Sequence, residues 1–162
     1  MRIHARIAAA LLIASAHAAA QPAPSLKLIG LDGGAKTLSA DDLRALPQVE
    51  VADSSAETGR LLFRGPTVRS VVSLVGAPEG RALRGQSMTI VVVAEASDGY
   101  KVVYALAELD AQFGGRTAIV ALTENGKPLA AQFGPLRIAM AGEAHRARWI
   151  RQLTTLRLVS VQ

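Results

Sequence analysis

Three turn-forming dipeptides divide this sequence into short apolar segments. Asp32-Gly33, Asp98-Gly99 and Asn125-Gly126 each stand between runs of apolar residues. Asp, Asn and Gly tolerate the left-handed backbone conformations that tight turns require, so each pair predicts a chain reversal. A chain that reverses this often pairs neighbouring strands antiparallel, which favours a fold rich in short strands.

The spacing of apolar residues places the strands between these turns. Apolar side chains at every second position predict half-buried strands at residues 26–28, 49–51 and 136–140. Residues 88–94, MTIVVVA, are apolar throughout and predict a strand covered on both faces. Further strands are expected at residues 61–63, 100–105 and 117–122.

Two short helices have clear signals. Ser39 and Asp42 form a capping box that predicts a helix start, and Pro47 closes this helix. The valines of residues 68–75 recur at i, i+3, i+4 and i+7, which predicts a helix packed on a sheet. A third short helix is expected at residues 107–113. The predicted fold class is therefore α+β, with a mixed, mostly antiparallel sheet, because the helices are too few for repeated βαβ units.

The first twenty residues differ from the rest. Arg2 and Arg6 precede an apolar run at residues 7–16, and an Ala-Ala-Ala site follows at residues 18–20. This pattern predicts a secretory signal peptide at residues 1–20, and hence a periplasmic or secreted protein. The apolar run is too short to cross a bilayer, so no integral membrane protein is expected. Residues 21–25 are interpreted as a linker and residues 26–162 as one domain.

Composition restricts the possible partners and cofactors. The sequence holds 18 Lys and Arg, 13 Asp and Glu and no cysteine, and loss of Arg2 and Arg6 would lower its net charge from +5 to +3. This mild charge on an exported chain favours a small anionic ligand, an acidic exported protein or the membrane surface over nucleic acid. His145 would be the single remaining histidine, so we predict no metal site.

Four motifs follow one another along the predicted domain: F-R-G-P at residues 63–66, S-D-G-Y at 97–100, N-G-K-P-L with G-P-L-R between 125 and 137, and R-W-I at 148–150. In this order they resemble motifs of the molybdopterin-binding domain of sulfite-oxidase-type oxidoreductases. The resemblance spans nearly the whole domain and implies that fold. It also implies, for an enzyme of this kind, a bound molybdopterin.

The sequence departs from this family where the metal should bind. The family places a molybdenum-binding cysteine before the aromatic-x-Gly segment, and residues 49–59, VEVADSSAETG, contain none. Asp53, Ser54 and Ser55 are the available oxygen ligands, but a hard oxygen ligand would need a different pocket. The missing thiolate therefore argues against molybdenum chemistry.

The candidate binding residues are His145, Arg146, Arg148, Trp149 and Arg137. The first three form a basic loop, which is either a site for a pterin phosphate, an oxyanion or an acidic partner, or a solvated surface. Trp149 is expected to pack in or at the rim of the core rather than to stack on a ligand. Arg137 should face away from Leu136 and Ile138, and there pair with a carboxylate or line a pocket.

The function predicted first is an exported, non-catalytic binding or accessory module on a molybdopterin-oxidoreductase-like fold, with no catalytic residues and no cofactor. Two alternatives stay open. One is a small oxidoreductase subunit that binds molybdopterin and works with a partner. The other is a partner-binding domain that uses the basic loop at residues 142–151.

Overall fold

A computed structural model describes residues 24–53, 59–143 and 145–161. The predicted signal peptide, most of the predicted linker, Ser54 and Ser55 lie outside these residues. The first strand begins at Ser25, the last residue of the predicted linker. No helix in the described ranges is long and apolar enough to cross a membrane.

The strands, in chain order, are β1 (Ser25–Ile29), β2 (Ala35–Ser39), β3 (Gln48–Asp53), β4 (Leu61–Pro66), β5 (Ile90–Ala96), β6 (Lys101–Ala105), β7 (Ala118–Ala121), β8 (Thr123–Glu124), β9 (Lys127–Pro128), β10 (Arg137–Met140) and β11 (Leu153–Ser160). The helices are α1 (Ala40–Ala45) and α2 (Val68–Ser73). Five short 3₁₀ turns complete the described structure, at Gly80–Ala82, Gly85–Thr89, Ala107–Leu109, Ala111–Phe113 and Arg146–Arg148.

The strands form three sheets. The largest has the order β2-β1-β11-β5-β6, in which β1 and β11 run parallel and all other neighbours antiparallel. A second sheet pairs β7 with β10, and a third has the order β3-β4-β8-β9. The domain is therefore α+β with mixed, mostly antiparallel sheets, which confirms the predicted fold class.

The second and third sheets approach each other closely at Gly65. A Cβ atom there would overlap the carbonyl oxygen of Val120, so only glycine fits. Next to it, Thr67 forms an isolated bridge with Ile119. This approach brings β4 against the β7–β10 pair and positions the side chains of the candidate site.

The predicted caps and turns are largely confirmed. Ser39 and Asp42 form the complete capping box of α1, with the Asp42 amide donating to the Ser39 hydroxyl and the Ser39 amide to the Asp42 carboxylate. The Ser39 hydroxyl also donates to the Asp42 carboxylate, and this hydrogen bond, followed by that of the Ser39 amide, lowers the pKa of Asp42. Helix α2 buries Val68, Val71 and Val72, as its spacing predicts.

Two local predictions were wrong, and one strand was missed. Residues 107–113 form two 3₁₀ turns rather than a helix, because Asp110 caps the second turn instead of continuing the first. Strand β5 starts at Ile90 and alternates buried and half-buried positions, so it is not covered equally on both faces. Strand β2 was not predicted, since only Leu38 of its five residues is buried and the period-two pattern is missing.

Candidate functional site

Arg137 is a buried cation surrounded by aromatic rings. It lies on β10, and only 7% of the residue is exposed. Its guanidinium carbon lies 5.0 Å from the ring centroid of Phe63, 5.2 Å from that of Phe133 and 5.6 Å from that of Trp149. Cation–π attraction to three rings partly replaces the water that burial removes from the guanidinium.

The same residues line a cavity of about 410 Å³ that opens to solvent. The Nε of Arg137 and the Nε1 of Trp149 are buried N–H donors without a hydrogen-bond partner in the described structure. Both nitrogens are closed off from solvent, so a ligand in the cavity would meet the Arg137 guanidinium through its Nη groups. The lining residues are Leu61, Ala96, Asp98, Tyr100, Glu124, Phe133, Arg137, Arg146, Ala147, Trp149, Ile150 and Arg151.

The local charges act on Arg137 from several sides. Burial lowers the pKa of Arg137, while the negative charges of Glu124 and Asp53 oppose this shift and Arg146 adds to it. An arginine side chain stays protonated in proteins, so the guanidinium remains a cation at neutral pH. Within the described ranges it has no ion pair, which leaves it able to take an anion.

The basic loop contributes less free charge than its sequence indicates. Arg146 forms an ion pair with the buried Asp53, and its guanidinium lies 5.9 Å from the Trp149 ring centroid. His145 is exposed and does not line the cavity. Arg151 is exposed at the cavity wall, so it and Arg137 are the two lining arginines without an ion pair in the described residues.

Arg148 belongs to a separate ion-pair cluster. Its guanidinium contacts Glu108 at 2.5 Å and Glu143 at 3.2 Å, and Glu143 also pairs with Arg116 at 3.0 Å. The guanidinium lies 4.8 Å from the ring centroid of Tyr104, whose hydroxyl donates to the backbone carbonyl of Arg148. Burial raises the pKa of Tyr104. These contacts hold the Arg146–Arg148 turn in place and commit Arg148 to the fold.

Trp149 both packs in the core and faces the cavity. Its residue is 6% exposed, and its ring meets that of Phe63 edge to face with centroids 5.5 Å apart. The predicted packing role is therefore present, and the indole N–H is buried without a hydrogen-bond partner in the described residues. Tyr100 closes one side, with its hydroxyl donating to the carbonyl of Ala147.

Sequence reasoning missed Phe63, Phe133 and Glu124 as site residues. Phe63 was identified only as part of a motif, and Phe133 lies in a turn between two predicted elements. The one available signal was the unusual position of Arg137 between apolar residues of a strand. The oxygen-ligand candidate Asp53 is paired with Arg146, and the described residues contain no cluster of His, Cys, Asp or Glu that could hold a metal.

A second concavity of about 660 Å³ lies beside the start of β1. Its described lining contains no charged side chain and comprises Pro24, Ser25, Ser97, Leu129, Ala131, Gly134, Pro135, Gln152, Leu153 and Thr154. Charged chemistry is therefore concentrated in the smaller cavity around Arg137.

A solved structure shares this arrangement of mixed and antiparallel sheets with short helices. The structure is similar to the crystal structure of the sulfane dehydrogenase SoxCD from Paracoccus pantotrophus, with a TM-score of 0.64 and 12% sequence identity. The match covers 85% of this chain and 38% of that one, so this chain spans well under half of that protein's length. The likeness concerns the fold alone. No protein-family model and no curated protein matches the sequence.

Proposed function

We propose that this protein is an exported, non-catalytic binding module that holds a small anionic ligand in the cavity around Arg137. The observation that carries this proposal is the buried guanidinium of Arg137, which faces a cavity and has no ion pair in the described residues. Burying an unpaired charge costs several kcal/mol in proteins. A fold that keeps such a charge beside an open cavity is well suited to neutralise it with a ligand.

The aromatic rings support this role. Phe63, Phe133 and Trp149 surround the guanidinium and limit its access to water. The attraction between the guanidinium and a bound anion is therefore screened less by water than it would be at the protein surface. An oxyanion or carboxylate can accept two parallel hydrogen bonds from one guanidinium.

The residues present do not fit a molybdenum-bound pterin. The sequence has no cysteine to supply a thiolate, and Arg146 and Arg148 are already paired with carboxylates. The cavity wall also carries Asp98 and Glu124, which would repel a phosphate. We therefore propose no redox step. The ion pairs of Arg146 and Arg148 likewise make an acidic protein partner at residues 142–151 a weaker proposal.

Calorimetric titration at constant ionic strength tests the proposal, with sodium acetate and sodium sulfate as probes. We expect saturable binding of at least one probe at about one site per chain. The variant Arg137→Met should weaken that binding by about tenfold or more, since it removes a charge-assisted hydrogen bond.

Arg157→Met is the matched control, because Arg157 is an exposed residue of β11 and its loss changes the net charge equally. This variant should bind the probes as the unmodified protein does. Equal weakening by both variants would show non-specific charge attraction and contradict the proposal. Stoichiometric molybdenum in protein purified from its natural host would contradict the non-catalytic role.

A further inference from the structure

The cavity around Arg137 carries both signs of charge. Its wall contains three arginines and two carboxylates, those of Asp98 and Glu124. Asp53 neutralises Arg146, so the local balance is close to zero rather than strongly positive. A ligand with several negative charges would therefore be repelled by the carboxylates as well as attracted by the arginines. A ligand with one anionic and one cationic group could place each group beside a charge of opposite sign.

Glu124 is placed to serve as the second recognition group. It lies on β8 directly opposite Phe63 of β4, and residues opposite each other in an antiparallel pair project from the same face of the sheet. Because the ring of Phe63 contacts the guanidinium of Arg137, Glu124 and Arg137 belong to the same part of the cavity. Glu124 is half-buried.

Glu124 and Arg137 nevertheless do not form an ion pair, since no nitrogen–oxygen distance of 4.0 Å or less joins any pair that includes either residue in the described structure. The other wall carboxylate, that of Asp98, accepts the backbone N–H of Tyr100 at 3.0 Å in its own turn. Glu124 is therefore the carboxylate of the cavity that has no hydrogen bond or ion pair within the described ranges.

The wall around these two charges is apolar. Leu61, Phe133 and Ile150 line the cavity and can pack against methylene groups of a ligand. This arrangement matches a ligand with an anionic group at one end, a short hydrocarbon spacer and a cationic group at the other end.

We infer that the ligand class of the cavity is a small zwitterion, an amino-carboxylate whose carboxylate binds Arg137 and whose ammonium group binds Glu124. This inference rests on the proposed function, and it adds the second charge and the spacer. It requires no covalent step and no cofactor.

Matched ligand series test the inference on the complete mature protein. The ω-amino acids from glycine to 6-aminohexanoate are titrated calorimetrically, alongside the carboxylates from acetate to hexanoate that lack the amine. At one or more chain lengths, we expect the amino acid to bind about tenfold tighter than its matched carboxylate, because it adds one charge-assisted hydrogen bond. Alkylamines of the same lengths should bind more weakly than the amino acids.

Variants assign the two ends of the ligand. Glu124→Gln should remove the preference for the amino acid and leave carboxylate binding in place, while Arg137→Met should weaken both. Glu79→Gln is the matched control, because Glu79 is exposed and does not line the cavity. It should leave the preference unchanged.

The outcomes separate this inference from the proposed function. Carboxylates that bind as tightly as their amino acids at every length, with binding that depends on Arg137, would overturn the zwitterion and leave the anion-binding function standing. Absence of binding by carboxylates, sulfate and amino acids alike in folded protein would overturn both. The comparison in unmodified protein decides the inference even where a variant does not fold.

Discussion

Two arginines with little solvent exposure, one half-buried and one buried, are treated in opposite ways by this fold. Arg69, on α2, has its Nε 3.4 Å from Asp110 Oδ2 and donates from Nη2 to the carbonyl of Pro78. Arg137, on β10, faces three aromatic rings and a cavity without an ion pair in the described residues. Burial of a cation therefore does not by itself indicate a binding site. The informative feature is whether the fold supplies the counter-charge.

Asp110 ties the first arginine into the fold, although Nη1 of Arg69 is a buried donor without a hydrogen-bond partner in the described residues. Its carboxylate also accepts the backbone N–H groups of Gln112 at 2.9 Å and of Gly80 at 3.4 Å. Arg69 and Asp110 thus join α2 to two separate 3₁₀ turns. The comparison predicts that loss of this pair lowers stability, whereas loss of Arg137 lowers binding.

The largest expected effect on stability is that of Asp110→Ala. It leaves the Arg69 guanidinium buried without its carboxylate and removes the cap of the Ala111–Phe113 turn. We expect the free energy of unfolding to fall by about 2 to 3 kcal/mol, measured by urea denaturation. Asp41→Ala is the control: it breaks an exposed ion pair with Arg44 and should change the free energy of unfolding by less than about 0.5 kcal/mol. Similar losses in the free energy of unfolding for Asp110→Ala and Asp41→Ala would contradict the structural role assigned to Arg69.

Arg137→Met should change the free energy of unfolding much less. The variant removes a buried charge that the described residues do not pair, and methionine keeps an apolar chain against the three rings. We expect a change of about 1 kcal/mol or less, of either sign, in the same urea experiment without ligand, because the lost cation–π attraction to three rings offsets the relief of no longer burying the charge. A loss as large as that of Asp110→Ala would show that Arg137 is a structural residue, and the contrast would fail.

Glu143→Gln tests the paired part of the basic loop. The Glu143 side chain is only 10% exposed and bridges Arg116 and Arg148, but Arg116 is more than half exposed and glutamine keeps a carbonyl oxygen to accept from both arginines. We therefore expect a loss of about 1 kcal/mol in the free energy of unfolding. Calorimetric titration with acetate should show unchanged binding, because this cluster does not line the cavity. Weaker acetate binding would instead show that the Arg116–Arg148 ion-pair cluster contributes to binding in the cavity around Arg137.

The smallest effect concerns the pH dependence of the Arg69 pair. The backbone N–H of Gln112, followed by that of Gly80 and by Arg69, holds the pKa of Asp110 below its ordinary value despite burial. A carboxyl group with a lowered pKa in the folded state stabilises the fold above its unfolded pKa of about 3.9, and this contribution is lost as pH falls through the folded pKa. The stability difference between the unmodified protein and Asp110→Asn should therefore shrink between about pH 5 and pH 2. A difference that grows with acidity would contradict this sign.

Local signals in the sequence predicted local structure well. The capping box at Ser39 and Asp42 fixed the start of α1, because both partners lie within four residues of each other. The Asp98-Gly99 turn predicted the β5–β6 hairpin for the same reason. The prediction failed where the signal was weak, as in β2, whose exposed residues carry no period.

The candidate site was predicted less completely. The sequence identified Arg137, Arg146, Arg148 and Trp149 but not which of the cations would be neutralised. Arg148 pairs with Glu108, which lies 40 positions earlier in the chain. Arg146, in the last 3₁₀ turn, pairs with Asp53 at the end of β3. No spacing in the sequence encodes such contacts, since they arise only when β3, β6 and the last loop pack together.

The sequence alone determined the strand-rich α+β fold, the positions of its turns and the absence of a thiolate, because backbone conformation and residue chemistry are local properties. The tertiary structure decided that Arg146 and Arg148 are paired while Arg137 remains the cation of the cavity. The physical reason is that a charge's availability depends on distances to other charges and to water, and folding sets both.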